Sequence, residues 1–367
     1  HTANRRQRQM CIRDRSTYVL IAQGAHRDKR ALTASYNYLI MGTIGATFFV
    51  IGVGFLYMAT GTLNMADLAD RIENQYDRRT VRAAFAFIMV GMGLKVAIFP
   101  LHLWLPNAYT YAPSAITSFL AATATKVAIY VMLRFLFSVF QPGFLAEVPT
   151  LDLILYPFAI LAMFAASYTA ILQRDLKRML AYSSIGQVGY MLLGIALLSE
   201  SGLMATMIHL FNHGITKAAL FMGVGVYVLN GGGSFYHNLR GRGKTMPWTS
   251  AAMVVAGLSL IGVPGTAGFL SKWLLVEATL EQGLWPIALL IVASSLLAVI
   301  YVWKLIETLY LAQPAEGLQD QNVPLMMMIP LWVMALACIY FGFDTDITLS
   351  AARSAAEGLL AGSAGMR

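Results

Sequence analysis

Charged residues are scarce in this chain. Of its 367 residues only 12% are charged, whereas 58% are hydrophobic, and the mean hydropathy is +0.63. A soluble domain carries about 25% charged residues, so this composition excludes a soluble globular enzyme. It also excludes intrinsic disorder, which requires low hydrophobicity and high charge. The net charge of +8 is, in so apolar a chain, a sign of membrane topology and not of nucleic-acid binding.

Cysteine is almost absent as well. Cys11 and Cys338 lie far apart, and no CxxC or Cys/His pair occurs. The sequence therefore gives no support for an iron–sulfur cluster, a structural zinc site or a disulfide framework, and we predict no cofactor. Whether the chain belongs to an enzyme is left open, because any oxidoreductase activity would reside in a larger complex.

The first sixteen residues, HTANRRQRQMCIRDRS, differ from the rest. They contain five arginines and lack the apolar stretch of about 7–15 residues that a signal peptide requires. The following STYVLIAQG begins in the middle of an apolar run. We expect a basic leader foreign to the protein and a chain truncated at its N-terminus.

The remainder is a series of apolar blocks, each near the roughly 20 residues that cross a bilayer as a helix. Barrel strands are excluded because they span about 9–11 residues with period-2 alternation. The predicted fold is an all-α polytopic membrane protein with about nine complete transmembrane helices and a stub at residues 17–23. The nine blocks are residues 36–60, 81–111, 113–140, 151–172, 180–199, 202–229, 248–280, 285–312 and 323–343.

Loop charges predict the orientation. The basic clusters GAHRDKR, QRDLKR and NLRGRGK fall on one side of the membrane, whereas QPGFLAEVP, SES and LEQGLW on the other side lack Lys and Arg. This is the positive-inside pattern. Residues 63–80 mix acidic and basic side chains and predict an amphipathic interfacial helix, and the tail after Phe343 predicts a surface helix on the outside.

Ionisable residues inside the blocks are the functional candidates, because a charge in a membrane span is costly. Lys95 lies deep in the second block, five residues before a predicted helix break at Pro100. Lys126 is flanked on each side by apolar or small residues. The structural alternatives are an interfacial anchor for Lys95 and a lysine satisfied by backbone carbonyls for Lys126.

Three titratable residues share one helix face in MIHLFNHGITKAALF. His209, His213 and Lys217 follow each other at intervals of four, which favours a proton wire. Two histidines at this spacing also suit zinc, but this segment lacks a third ligand and Lys217 would repel a cation. A histidine that only fills the core is the remaining alternative.

A second break is predicted at Pro264 and Gly265, with Lys272 shortly after it. Glu277 and Lys304 are secondary candidates, since Glu277 lies nearer the outer surface and Lys304 lies two turns from the inner end of its block. Lysine has no acceptor to offer sodium, which binds through oxygen. Removal from water lowers the pKa of a lysine toward neutrality, so such lysines can exchange protons, and we predict the proton as the ion carried.

The segments GLKVAIFPLHLWLPNAYTYAPSAITSFLAATATKVAIYVMLRF, QRDLKRMLAYSSIGQVGYMLLG, HLFNHGITKAALF and GVPGTAGFLSKW occur in this order. They resemble the antiporter-like subunits shared by Mrp-type cation/proton antiporters, the D-type subunit above all, and the membrane arm of respiratory complex I. The resemblance covers about residues 17–310. It implies a fourteen-helix fold with two inverted repeats, each containing one broken helix.

The resemblance also implies roles and boundaries. Lys95 and Lys272 match charges on the two broken helices, Lys126 matches the lysine that passes protons inward, and the helix of His209 matches the central relay. A glutamate expected to pair with Lys95 is missing from the anomalous leader. The implied divisions are a leader at 1–16, a remnant of the first repeat at 17–140, the second repeat at 150–312, a C-terminal transmembrane helix at 313–343 and a tail at 344–367.

We therefore predict a proton-translocating subunit of an Mrp-type Na⁺/H⁺ antiporter in a bacterial inner membrane, with other integral-membrane subunits as partners and no nucleic acid. The alternative is a proton-pumping subunit of an NADH:quinone oxidoreductase or related complex. A solute permease and a passive scaffold are less favoured.

Overall fold

The computed structural model describes residues 17–73, 78–147, 150–231, 233–313 and 323–361, and no strand occurs among them. The first half contains the helices α1 (Arg30–Thr60), α2 (Met65–Ile72), α3 (Arg79–Val96), α4 (Trp104–Tyr111), α5 (Ser114–Leu133), α6 (Gln141–Glu147), α7 (Thr150–Leu172) and α8 (Leu176–Ala196). The second half contains α9 (Glu200–Leu229), α10 (Tyr236–Leu239), α11 (Arg242–Thr245), α12 (Pro247–Ile261), α13 (Ala267–Glu281), α14 (Trp285–Ile306), α15 (Leu325–Phe343) and α16 (Asp346–Leu360). The predicted leader at residues 1–16 lies outside the described residues.

The prediction of an all-α polytopic membrane fold is confirmed, because each of the nine predicted blocks corresponds to one helix or to a pair of half-helices. Six described helical segments are long and apolar enough to cross a bilayer unaided. They are residues 30–60, 114–145, 154–172, 176–196, 285–311 and 325–343. Two of the other three blocks are interrupted helices, and the third is α9, which carries the buried polar side chains.

The first interruption separates α3 from α4. Helix α3 ends at Val96, and Ala97 adopts a left-handed conformation with φ of 63°. The predicted break at Pro100 lies in the connection that follows. The indole Nε1 of Trp104 donates to the carbonyl of Leu94 at 2.8 Å. That bond satisfies a carbonyl of the last turn of α3, which has no partner within the helix.

The second interruption separates α12 from α13 and contains the predicted Pro264 and Gly265. Helix α12 ends at Ile261, and Gly262 has a φ of 89°, a conformation that favours glycine. A Cβ on Gly268 would lie only 1.8 Å from the carbonyl oxygen of Ser259. The two half-helices therefore cross at a distance that only glycine permits.

Helix α9 is the centre of the described bundle. It packs against α5, α8, α12, α13, α15 and α16. Exposed large apolar side chains lie instead on outer helices such as α1, α14 and α15, among them Val50, Leu296 and Met326. This distribution suits a bundle surrounded by lipid, with its polar residues turned inward.

Both predicted surface helices are present. Helix α2 buries Leu68 and Ile72, while Asp67 and Arg71 pair on its exposed face at 2.8 Å. Hydrogen bonds from Thr62 and Arg71 lower the pKa of the Asp67 carboxyl. The tail forms α16, which rests on the bundle through Ala352, Ala356 and Leu359.

The contact between α1 and α3 predicts a sharp difference between two glycine substitutions. A Cβ on Gly91 would lie 2.6 Å from the carbonyl oxygen of Gly45 and 2.7 Å from the backbone nitrogen of Phe49, whereas a Cβ on Gly54 meets nothing within 4 Å. We expect Gly91→Ala to destabilise the protein by about 1–3 kcal/mol, as overpacking does. Gly54→Ala is the control and should leave the melting temperature in detergent unchanged or higher. Equal melting temperatures for the two variants would contradict this packing.

Candidate functional site: a buried polar stripe

Three polar side chains follow one face of α9 through the centre of the bundle. His209, His213 and Lys217 are all buried, and Lys217 is completely inaccessible. The spacing of four residues places them one above another. The rings of His209 and His213 are nearly parallel, with centroids 6.1 Å apart and planes inclined by 11°. The structure therefore aligns the three residues that the sequence predicted on one face.

His209 connects α9 to the half-helix α13. Its Nδ1 lies 2.8 Å from the Oγ of Ser271. The ring of Tyr190, which projects from α8, has its centroid 5.7 Å from that of the imidazole. Tyr190 is held in turn by its hydroxyl, which donates to Ser294 on α14 at 3.0 Å.

Lys126 approaches the stripe from α5. Only 6% of its surface is exposed, and its Nζ donates to the carbonyl of Ala121 on its own helix. Helix α5 packs against α9 at this level, since a Cβ on Gly214, next to His213, would lie 3.4 Å from the carbonyl oxygen of Ala122 on α5. Lys126 is thus bonded to a backbone carbonyl, as its structural alternative required, and its helix crosses α9 beside His213.

Lys217 reaches from α9 to α8. Its Nζ donates to the carbonyl of Leu180 at 2.8 Å and to the Oγ of Ser183 at 2.5 Å. Leu180 and Ser183 lie within one turn of each other near the N-terminus of α8, so the lysine joins the middle of α9 to the first turns of α8.

Lys272 lies at the second interruption and binds the freed end of α12. Its Nζ donates to the carbonyl of Ile261 at 2.8 Å and to that of Leu260 at 3.2 Å. The last carbonyls of a helix lack intrahelical partners and carry partial negative charge. The ammonium also lies 4.9 Å from the centroid of the Tyr190 ring, which brings it near His209.

We call Lys126, His209, His213, Lys217 and Lys272 the polar stripe. Within the described part of the chain, no carboxylate hydrogen-bonds to or pairs with its three lysines. The Nε2 of His209, both ring nitrogens of His213 and the Oδ1 of nearby Asn212 are buried without a protein partner. A polar atom that is buried without a hydrogen bond lowers the stability of a protein by about 1–3 kcal/mol. These atoms are therefore suited to hydrogen-bond water molecules between the side chains.

The remaining candidates lie elsewhere. Lys95 is half-buried in the last turn of α3, and its stem faces Gly45 on α1. Glu277 is exposed on α13. Lys304 donates to the carbonyls of Ile171 and Gln173, at 2.9 Å each, and its ammonium lies 4.9 Å from the ring centroid of Tyr236. Lys304 therefore binds the C-terminal carbonyls of α7 instead of joining the stripe.

Several polar partners were not singled out from the sequence. Ser183, Tyr190, Asn212 and Ser271 all line the stripe, and Lys177 donates to the carbonyl of Ala112 at the end of α4 at 3.0 Å. A lone Ser or Tyr in an apolar span is too common to be distinctive. Asn212 and Ser271 do stand next to His213 and Lys272 in the sequence, and that adjacency was an available signal.

Metal binding was the rival interpretation of the two histidines. Among the described residues, no group of three His, Cys, Asp or Glu side chains is arranged to hold a metal ion. His209 contacts Ser271 and Tyr190, and its ring lies parallel to that of His213.

Comparison with known proteins identifies the family that has this architecture. Residues 15–298 match the family described as NADH:quinone oxidoreductase/Mrp antiporter, TM. The chain belongs to this family. Among the family's curated members, an NADH-quinone oxidoreductase subunit N from Desulforudis audaxviator is 39% identical over 91% of this chain and 68% of its own length. A D-type subunit of a Na(+)/H(+) antiporter from Alkalihalophilus pseudofirmus is 30% identical over 90% of this chain and 66% of its own length.

Solved structures share this fold. The Mrp complex from Dietzia sp. DQ12-45-1b contains a chain that superposes with a TM-score of 0.84 at 24% identity, over 94% of this chain and 71% of that one. The membrane-bound sulfane sulfur reductase, an archaeal respiratory membrane complex, gives a TM-score of 0.84 at 33% identity over 97% and 71%. This chain thus spans about two thirds of the length of the two curated relatives. The matched chains are subunits of multisubunit membrane complexes.

Lys304 provides a test of a purely structural lysine. Lys304→Met removes the two hydrogen bonds to the end of α7 and the contact with Tyr236, and we expect it to destabilise the protein by about 1.5–3 kcal/mol. Lys29→Met, which removes an exposed lysine on the same side of the membrane, is the control and should change the melting temperature little. A Lys304→Met protein as stable as the control would show that this contact contributes nothing.

Proposed function

We propose that the chain is a proton-translocating subunit of a multisubunit membrane complex and that protons move along the polar stripe. The observation that carries the proposal is a row of five buried titratable side chains, contributed by α5, α9 and α13, without a carboxylate partner among the described residues. Ionisable groups placed so deep in a membrane bundle mark ion and proton pathways.

The chemistry follows from the side chains themselves. Each lysine of the stripe is bonded to backbone carbonyls or to a hydroxyl and not to a carboxylate, so no ion pair among the described residues holds its proton. Each added positive charge also repels the other positive charges near it. A proton arriving at one end therefore favours release from the next group.

The second helix break gives Lys272 two roles. Its ammonium donates to the carbonyls of Leu260 and Ile261, which stabilise the charged form, and loss of the proton weakens that interaction. The protonation state of Lys272 is thereby coupled to the packing of α12 against α13. We assign Lys95 the corresponding place at the first break and take residues 17–140 and 150–312 as parts of two repeats.

Arginine substitutions distinguish a lysine that relays protons from a lysine that only stabilises the fold. An arginine at position 272 still binds the carbonyls of α12 but does not release its proton, because its pKa exceeds about 12. We expect Lys272→Arg and Lys126→Ala to assemble and yet to lose at least about 90% of proton translocation, measured by dye quenching in everted vesicles, since relay steps act in series.

Lys304→Arg is the matched control and should retain transport, because Lys304 binds only helix-end carbonyls. Melting temperatures report whether each variant stays folded. Full transport by a folded Lys272→Arg or Lys126→Ala protein would refute the relay and favour a passive scaffold.

The coupling partner has two candidates, each supported by a comparison. Exchange against Na⁺ or another monovalent cation agrees with the relative named as a Na(+)/H(+) antiporter subunit. Pumping driven by electron transfer in other subunits agrees with the higher identity, 39% against 30%, to the relative named as oxidoreductase subunit N. The bacterial sources of both relatives favour a bacterial inner membrane.

The dependence of proton transport on added cations distinguishes an antiporter subunit from a respiratory subunit. In everted vesicles containing the complete complex, an antiporter collapses a preformed proton gradient when Na⁺ or K⁺ is added, and it needs no electron donor. A respiratory subunit supports a gradient that requires donor and acceptor and is unchanged when choline replaces these cations. Lys126→Ala vesicles provide the background in both assays.

A further inference from the structure

The hydroxyl of Ser271 has one proton and lies within hydrogen-bond distance of two groups. Ser271 is buried on α13, and its Oγ lies 2.8 Å from the Nδ1 of His209 and 3.2 Å from the carbonyl oxygen of Gly268. A carbonyl oxygen only accepts, so the hydrogen bond to Gly268 uses the hydroxyl proton. The Oγ is then an acceptor toward His209, and Nδ1 must carry a proton to bond to it.

The alternative tautomer of a neutral His209 carries its proton on Nε2. Nδ1 would then accept the hydroxyl proton of Ser271, and the oxygen atoms of Ser271 and Gly268 would face each other at 3.2 Å without a proton between them. The tautomer with its proton on Nδ1 therefore makes two hydrogen bonds where the alternative makes one. The hydrogen bond at one ring nitrogen determines which of the two nitrogens is protonated, so this geometry leaves the Nε2 of His209 without a proton.

The two ring nitrogens of His209 thus have different surroundings. Nδ1 is engaged by Ser271, whereas Nε2 is buried without a hydrogen-bond partner among the described residues. A nitrogen with a free lone pair accepts a proton. A proton passed on through Nδ1 would reach only the hydroxyl of Ser271 and then the carbonyl of Gly268, which has no proton to pass further. Nε2 is therefore the nitrogen that remains for proton exchange.

We propose that Ser271 is a positioning residue of the relay, which holds a proton on the Nδ1 of His209 and makes Nε2 the nitrogen that takes up and releases the relayed proton. An incoming proton bonds to the lone pair of Nε2 and converts the neutral imidazole into an imidazolium. The same nitrogen then releases that proton, while the N–H of Nδ1 keeps its hydrogen bond to Ser271 throughout. The inference rests on the proposed function, because it assigns one atom to one step of that relay.

Two further contacts hold α9 against the second helix break. The Nδ2 of Asn212 donates to the carbonyl of Ala267 at 2.6 Å, and the Oγ1 of Thr216 lies 3.0 Å from the Oγ of Ser259 on α12. The helices therefore remain joined when Ser271 is substituted. Ser259 is also a buried serine at this break, and its hydroxyl bonds to Thr216, which is not a member of the polar stripe. Ser259→Ala is accordingly the matched control.

Solid-state NMR of the complete complex, with isotope-labelled histidine and tyrosine, measures the tautomer directly. The resonances of His209 are identified by their loss in His209→Gln and by their proximity to the ring of Tyr190, whose centroid is 5.7 Å away. At about pH 8.5, where an imidazole is ordinarily neutral, we expect the proton on Nδ1 in the unsubstituted protein and in Ser259→Ala. A proton on Nε2 in the unsubstituted protein would overturn the proposal without recourse to any variant of Ser271.

Two substitutions of Ser271 connect the tautomer to transport. Ser271→Ala should move the proton of His209 to Nε2 in part of the molecules and lower proton translocation in everted vesicles about three- to tenfold, the effect of one hydrogen bond. Ser271→Thr keeps a hydroxyl and should retain both the tautomer and transport. A folded Ser271→Ala protein with an unchanged tautomer contradicts the proposal even if transport falls, because Ser271 would then be only structural. Unchanged transport in that variant, despite a changed tautomer, contradicts it as well.

Failure of this inference is distinguishable from failure of the proposed function. The tautomer of His209 is measured without any transport, whereas the relay itself is refuted by full transport in a folded Lys126→Ala protein. Loss of transport in Lys126→Ala together with an unchanged tautomer in Ser271→Ala would retain the relay and overturn only the role of Ser271.

Discussion

Ammonium groups held away from water need partners, and in this bundle the partners of the buried lysines are backbone carbonyls and one hydroxyl. Lys272 binds the end of α12, Lys217 binds Leu180 and Ser183 of α8, and Lys126 binds Ala121. Carbonyl dipoles stabilise a positive charge without neutralising it. A carboxylate would hold the proton more firmly, so the observed partners leave each lysine able to exchange it.

The broken helices provide carbonyl partners of this kind inside the bundle. An unbroken helix uses its carbonyls internally and offers them only at its end. The interruption at Pro264 and Gly265 brings such an end into the interior, and Lys272, one turn and a half into the next half-helix, returns to it. At the first interruption the carbonyl of Leu94 is taken instead by the indole of Trp104. The two breaks therefore resemble each other in backbone form but differ in the group that satisfies them.

Two lysines that make the same kind of hydrogen bond serve different purposes in this chain. Lys304 and Lys272 both bind the C-terminal carbonyls of a helix, at 2.8–3.2 Å. Lys304 contacts Tyr236 near the membrane surface, whereas Lys272 contacts Tyr190 beside the histidines of α9. Neighbours thus distinguish a structural lysine from one that belongs to a pathway.

The sequence alone determined the helical spans, the two breaks and the stripe on α9, because hydrophobic length, proline with glycine and a spacing of four are local properties of the chain. Tertiary structure alone decided that Lys126 and Lys272 meet that stripe while Lys304 does not. It also revealed Ser271, Tyr190 and Ser183 as partners of the stripe. Such contacts join residues far apart in sequence, and their presence depends on how helices pack, which local periodicity does not encode.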